Sequence, residues 1–131
     1  MDTLRWLHLS DVHFSDGESY EIKRMRDSII DKMKEVFEKN KVDFVVLSGD
    51  LAYQGGGYDA NLKKFIESLV DVSGVSIDEL FIVPGNHDLK RTQMRSVLLN
   101  GMRTEQFKFE KETIEQLQKD FKKYMTFYNK V

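Results

Sequence analysis

Three short groups of residues carry the ligand chemistry of this chain: Asp11-Val12-His13, Gly49-Asp50 and Gly85-Asn86-His87-Asp88. Carboxylate, imidazole and amide oxygen are the donors that hard or borderline divalent cations select. In Asp11-x-His13 one spacer separates two donors, so an extended or bulged turn aims both at a single ion. Asp50 follows a glycine that permits a tight exit, and its carboxylate suits a bridge between two cations. Asn86 offers a neutral oxygen that adds no charge to a site already holding carboxylates. His87 beside it suits a proton donor, or a group that stabilises a transferring phosphoryl oxygen. Taken singly, each group also fits an ordinary turn or helix cap. Asp88 suits either an orienting partner for His87 or a cap, and His8 reads as a satisfied core histidine and not as a ligand.

The groups gain meaning from the elements before them. Residues 4–9, 42–47 and 80–83 are short apolar runs that read as strands, and each runs into one of the groups. The second is nearly continuous in apolar residues, as in a strand covered on both faces. Between them, residues 21–40 place Ile22, Met25, Ile29, Met33, Val36 and Phe37 at helical spacing, with Asn40 as a stop. Residues 58–72 do the same with Leu62, Phe65, Ile66, Leu69 and Val70. The pattern is βαβαβ, which implies right-handed crossovers and a parallel sheet. Such a sheet brings its strands' carboxyl ends to one edge, where open α/β proteins place their sites. Three groups in order, each at a strand end, are hard to obtain by chance, so the metal-site reading prevails.

Beyond residue 90 the character changes. Residues 90–104 are polar and basic around an ambiguous Val97-Leu98-Leu99, while residues 110–128 form a better helix with a stripe of Ile114, Leu117, Phe121, Tyr124, Met125 and Tyr128. Phe107, Phe109, Phe121, Tyr124, Phe127 and Tyr128 crowd this part, with covering the chain's own core as their expected role. Three strands make a small sheet, expected to be exposed at an edge and on one face.

The 131 residues suit one domain with a core of its own. Hydrophobic content of 40% with 32% charged residues reads as globular, and a net charge of −2 gives no bulk attraction to nucleic acid or anionic membrane. Without cysteine there is no disulfide, thiolate nucleophile or Cys-type zinc site. No apolar run approaches a membrane helix, and a cytoplasmic protein is the expectation.

Leu7-His8-Leu9-Ser10-Asp11-Val12-His13-Phe14, Leu47-Ser48-Gly49-Asp50-Leu51 and Val83-Pro84-Gly85-Asn86-His87-Asp88 closely resemble the first three signature blocks of the calcineurin-like metallophosphoesterases. The resemblance spans roughly the first ninety residues. It implies a four-layer α/β/β/α fold and a dinuclear site that hydrolyses phosphate mono- or diesters, as a phosphatase or phosphodiesterase. It implies that Asp11 and His13 hold one metal, Asp50 bridges both, Asn86 holds the second and His87 assists catalysis. The two ions, Mn²⁺, Fe or Zn²⁺, activate water for in-line attack and neutralise phosphoryl oxygens. The family completes its site with later Gly-His and Gly-His-x-His blocks, and no histidine follows His87 here.

The expectation is therefore the N-terminal half of such an enzyme, a truncated piece or one of a split pair. Residues 1–90 form the half-domain, and residues 91–131 form a helical segment or insertion continuing it. One ion or none is expected in this chain, with weak activity or none alone and a C-terminal half as the missing partner. The alternative is an inactive binding or self-association module of the same fold, its bare apolar surface lying in an oligomer interface. A phosphotransferase with an aspartyl nucleophile would want Asp-x-Asp where this chain has Asp11-Val12-His13. A nuclease is disfavoured by the acidic balance and the lack of a basic stripe.

Overall fold

The computed structural model describes all residues except 1–2, 16, 91 and 105–109. Phe107 and Phe109 lie outside the described residues. The chain runs β1 (Trp6–Ser10), α1 (Tyr20–Phe37), β2 (Phe44–Ser48), α2 (Ala60–Ser73), a 3₁₀ turn (Ile77–Glu79), β3 (Leu80–Val83) and α3 (Gln93–Arg103). It continues with α4 (Lys111–Gln118), a second 3₁₀ turn (Lys119–Phe121) and α5 (Lys122–Tyr128). The α/β class with a three-stranded parallel βαβαβ core is what the sequence implies. The long final helix of the sequence reading is instead two helices joined by the 3₁₀ turn, and the ambiguous segment around Val97 is helical.

The strands pair in parallel in the order β1-β2-β3, with Trp6 opposite Phe44 and Val45 opposite Leu80. When strand order follows chain order, right-handed crossovers put both connecting helices on the same face of the sheet. That is observed: α1 packs against α2, and the residues that face them, Val45 and Leu47, are fully buried. Along with Leu62, Phe65, Ile66, Leu69, Leu80, Tyr124 and Phe127 they form the core. Tyr124 and Phe127 thus cover the chain's own core, while Tyr128 is exposed.

The opposite face of the sheet is bare. Trp6, Phe81 and Val83 point there with 57%, 53% and 52% of their surfaces exposed. Trp6 stacks on Phe44, with ring centres 6.0 Å apart, and Phe44 meets the edge of Phe81. β2 is therefore covered on one face, not on both. Its continuous apolar run reflects Phe44 and Val46 on the open side, both half-buried, with Phe44 between Trp6 and Phe81. His8 is also on this open face. It is satisfied, with Nε2 2.5 Å from Ser48 Oγ, but exposed, so it is not a core histidine.

Helix α2 buries the stripe its spacing predicts. Asp59 caps it by accepting from the amides of Asn61 and Leu62, and Gly74 ends it at φ +71°. Helix α1 departs from prediction: Ile22, Met25, Ile29 and Val36 are exposed. The inward stripe is Arg26, Ile30, Met33 and Phe37, one helical face led by a buried arginine. Among the described residues, no helix is long and apolar enough to cross a membrane.

Candidate metal centre

All three groups emerge from the carboxyl ends of the strands, and main-chain hydrogen bonds lace their loops together. The Asp11 amide donates to the Gly49 carbonyl, the His13 amide to that of Asp50, and the Phe14 amide to that of Leu51. Phe14 and Ala52 extend the parallel pairing beyond the strands as an isolated bridge. The Gly49 amide donates to the Val83 carbonyl, and the Gly55 amide to that of His87, which attaches the third loop.

Within this lattice, Asp11, His13 and Asp50 each offer a ligand atom, and these atoms lie within 4.8 Å of one another. The same three residues occupy left-handed backbone, at φ +58°, +47° and +52°. Non-glycine residues there are uncommon, although Asp and His tolerate the region better than most. Such conformations persist only where the surrounding structure over-determines them, and they cluster at functional sites. Of the extended or bulged turn that the spacing suggests, the left-handed backbone at Asp11 and His13 excludes the extended form.

His13 Nε2 lies 3.8 Å from Asp11 Oδ1, while its Nδ1 is buried without a hydrogen-bond partner. Two carboxylates with an imidazole suit Mn²⁺, Zn²⁺ or Fe, and a buried nitrogen without a partner suits a ring that takes a cation. The residues present fit such an ion. The triad forms an open shelf, with the Asp11 side chain 64% exposed and that of His13 38%.

Of the other two sequence candidates, His87 is tied to this shelf and Asn86 precedes it in the chain. His87 donates its amide to Asp50 Oδ1 at 2.8 Å. Its ring meets that of His13 edge-on at 5.1 Å and stacks on Tyr53 at 5.2 Å. Asn86 is exposed between Gly85 and His87, both of which approach Asp50. Gly85 packs so closely that a Cβ would meet the carboxylate and amide of Asp50. Asp88 neither orients the His87 ring nor caps α3. It is fully buried and joins the second and third loops.

Sequence reasoning missed the residues that hold the first loop. Arg26 donates to the Val12 carbonyl, pairs with Glu18 and lies 3.7 Å over the Phe14 ring. Glu18 in turn accepts from the Ser15 amide. Burial lowers the pKa of Arg26, opposed by the charges of Asp27 and Asp59. A signal existed, since Arg26 is four residues before Ile30 and seven before Met33 on one helical face. Nothing in the sequence marks Tyr53 as a neighbour of His87.

A one-sided parallel sheet whose strand-end loops gather carboxylates and imidazole defines an α/β protein with a candidate site for a divalent cation. Residues 4–130 match the family described as calcineurin-like phosphoesterase, and the chain belongs to that family, whose members hydrolyse phosphoesters with bound metal. The match runs well past the three sequence groups. Over 99 residues the chain is 31% identical to an uncharacterized metallophosphoesterase-like protein, YydB, of Bacillus subtilis (strain 168), covering 76% of this chain and 20% of that protein. Over 61 residues it is 28% identical to a threonine–tRNA ligase of Mycoplasmopsis pulmonis (strain UAB CTIP), covering 47% of this chain and 10% of the ligase. The chain therefore spans about a fifth and a tenth of the lengths of these relatives. No solved structure matches it at a comparable level of significance.

Proposed function

We propose that this chain carries the first half of a phosphoesterase site that hydrolyses phosphate mono- or diesters with divalent metal. The observation that carries the reading is the convergence of Asp11, His13 and Asp50 on one point, each held on left-handed backbone. In this reading Asp11 and His13 bind one ion, Asp50 bridges to a second, and Asn86 binds the second. Bound divalent cations supply Lewis acidity, lower the pKa of water and neutralise charge on the phosphoryl oxygens.

The chain's own residues orient and exclude. Asp50 accepts one amide hydrogen bond from His87, and a carboxylate has further lone pairs for cations. Tyr53 stacks on the His87 ring and limits its rotation, and an imidazole held beside the His13 ring suits proton transfer. Two ions need more protein donors than these residues provide, so the chain binds metal weakly and turns over slowly alone.

Calorimetric titration with Mn²⁺, beside Asp50→Asn, tests this. The wild-type chain should take up the ion and the variant should not. Failure of both to bind Mn²⁺ overturns the metal reading. Brisk hydrolysis of a nitrophenyl phosphodiester by the 131-residue chain overturns the claim of a partial site.

The bare face of Trp6, Phe44, Phe81 and Val83 favours a second reading, in which the chain serves as a binding or self-association module. A monomer at all concentrations in sedimentation, still binding Mn²⁺, counts against self-association.

A further inference from the structure

Asp88 is a carboxylate with no exposed surface, which is expensive for a charged group unless its lone pairs are occupied. Four donors occupy them. Oδ1 accepts from the Ala52 amide at 2.7 Å and from the Tyr58 hydroxyl at 2.7 Å. Oδ2 accepts from the Leu51 amide at 3.1 Å and from the Gly85 amide at 2.7 Å. Two of these amides directly follow Asp50, and the third belongs to the glycine pressed against the Asp50 carboxylate. All four donors are neutral groups pointing at one buried anion, a fixed cradle joining the β2 and β3 exits.

We propose that Asp88 is a positioning residue for the metal centre, acting through the backbone of residues 49–52 and 85–88 on Asp50 and His87. Its four hydrogen bonds go to the amides of Leu51, Ala52 and Gly85 and to the Tyr58 hydroxyl. By fixing the Leu51 and Ala52 amides, it holds the peptide that keeps Asp50 in left-handed backbone. By fixing Gly85, it keeps the third loop close enough for the His87 amide to reach Asp50 Oδ1. Tyr58 is the side-chain member of the cradle and brings the start of α2 into it. The proposal deepens the phosphoesterase reading and rests on it for the role of the metal, but not for the geometry of the loops.

The expected signature follows from the donor count. Asp88→Asn keeps the shape but turns one acceptor oxygen into a donor facing amides that also donate. Partners of this kind that hold ligands in place change metal affinity by about 10- to 100-fold.

The test has two readouts on the same proteins. Mn²⁺ affinity is measured by calorimetry for wild type, Asp88→Asn, Tyr58→Phe and the core variant Leu69→Ala, each checked for folding by circular dichroism. Hydrogen exchange of the His87 amide is followed without metal. The proposal expects Asp88→Asn to weaken Mn²⁺ binding at least ~10-fold and to release His87 protection. Tyr58→Phe should do so severalfold, and Leu69→Ala should not change affinity. Unchanged affinity and protection in a folded Asp88→Asn overturn it, as does equal weakening by Leu69→Ala. If Asp88→Asn does not fold, Tyr58→Phe decides, and wild-type behaviour there overturns the proposal. If wild type binds no Mn²⁺, the metal reading falls by itself. His87 exchange then decides the positioning claim: fast exchange in the variants supports it, and unchanged exchange overturns it.

Discussion

The main-chain amide of His87 donates to Oδ1 of Asp50, 37 residues earlier in the chain, at 2.8 Å. One hydrogen bond thus joins the second and third motifs, and it orients a carboxylate by backbone and not by a side chain. Gly85 makes this approach possible, because any Cβ there would meet the carboxylate and amide of Asp50. Gly85→Ala should therefore destabilise the fold by about 1–3 kcal/mol, the usual penalty for overpacking. Urea unfolding measures the loss, and Mn²⁺ titration should show weaker binding in the folded variant. Wild-type stability and affinity in Gly85→Ala would contradict the close approach.

Arg26 and Glu18 form a largely buried ion pair under the first loop. Removing one partner strands the other, which typically costs about 3–5 kcal/mol. Arg26→Met should lower the urea midpoint steeply, and adding Glu18→Gln should recover part of the loss. Arg26→Lys should not rescue fully, since an ammonium lacks the planar fork that reaches Val12 and Glu18 while lying over Phe14. Additive losses in the double variant would show that the pair does not act as a unit.

High pH should loosen the fold through two tyrosines. Burial raises the pKa of Tyr58, helped by its hydrogen bond to Asp88, and burial pushes Tyr124 up to about 12. Both folded values exceed the ordinary value of about 10, so the protons are held more tightly in the folded state. Stability from this source is complete below about pH 10 and falls as pH rises above it, where only unfolded tyrosines ionise. For Tyr124 the loss ends near pH 12; for Tyr58 it continues beyond. Each contributes a slope of up to about 1.4 kcal/mol per pH unit. Urea midpoints between about pH 9 and about pH 11.5 should fall, and the Tyr58→Phe/Tyr124→Phe protein should show a flatter profile.

Phe81→Glu on the bare face should change unfolding free energy by no more than about 1 kcal/mol, since the side chain is half exposed. The same change should reduce binding of a hydrophobic dye and any concentration-dependent association seen in sedimentation. Severe destabilisation instead would mean that the face is already covered in solution.

The sequence made the scaffold legible because each strand ends in a residue group that cannot continue it. The stripe of α2 could be read from Leu62, Phe65, Ile66 and Leu69, since apolar burial decided it alone. The stripe of α1 could not, because the inward position went to Arg26, whose partners Glu18, Val12 and Phe14 are loop residues known only once folded. Asp11, His13, Asp50 and His87 meet as their spacing implies. The left-handed backbone that turns three of them inward leaves no mark in composition. In the sequence Asp88 is one letter of a motif, while its hydrogen bonds reach amides 36 and 37 residues away. The open side of β2 is not legible in its run, because half-buried Phe44 and Val46 look like buried residues in a linear string.

Strand order that copies chain order divides the site between two strand pairs. The pairing of β1 with β2 needs nothing from β3, and the Asp11–His13 and Asp50 loops meet within that pair. The anchors that steady Asp50, the Gly85 and His87 amides and the Asp88 carboxylate, arrive only when β3 docks as an edge strand. The ligand cluster thus belongs to the β1–β2 pair, and its anchoring to β3. A cation that binds only the arrangement with β3 docked therefore stabilises that docking by mass action, and Mn²⁺ should protect the β3 amides from hydrogen exchange.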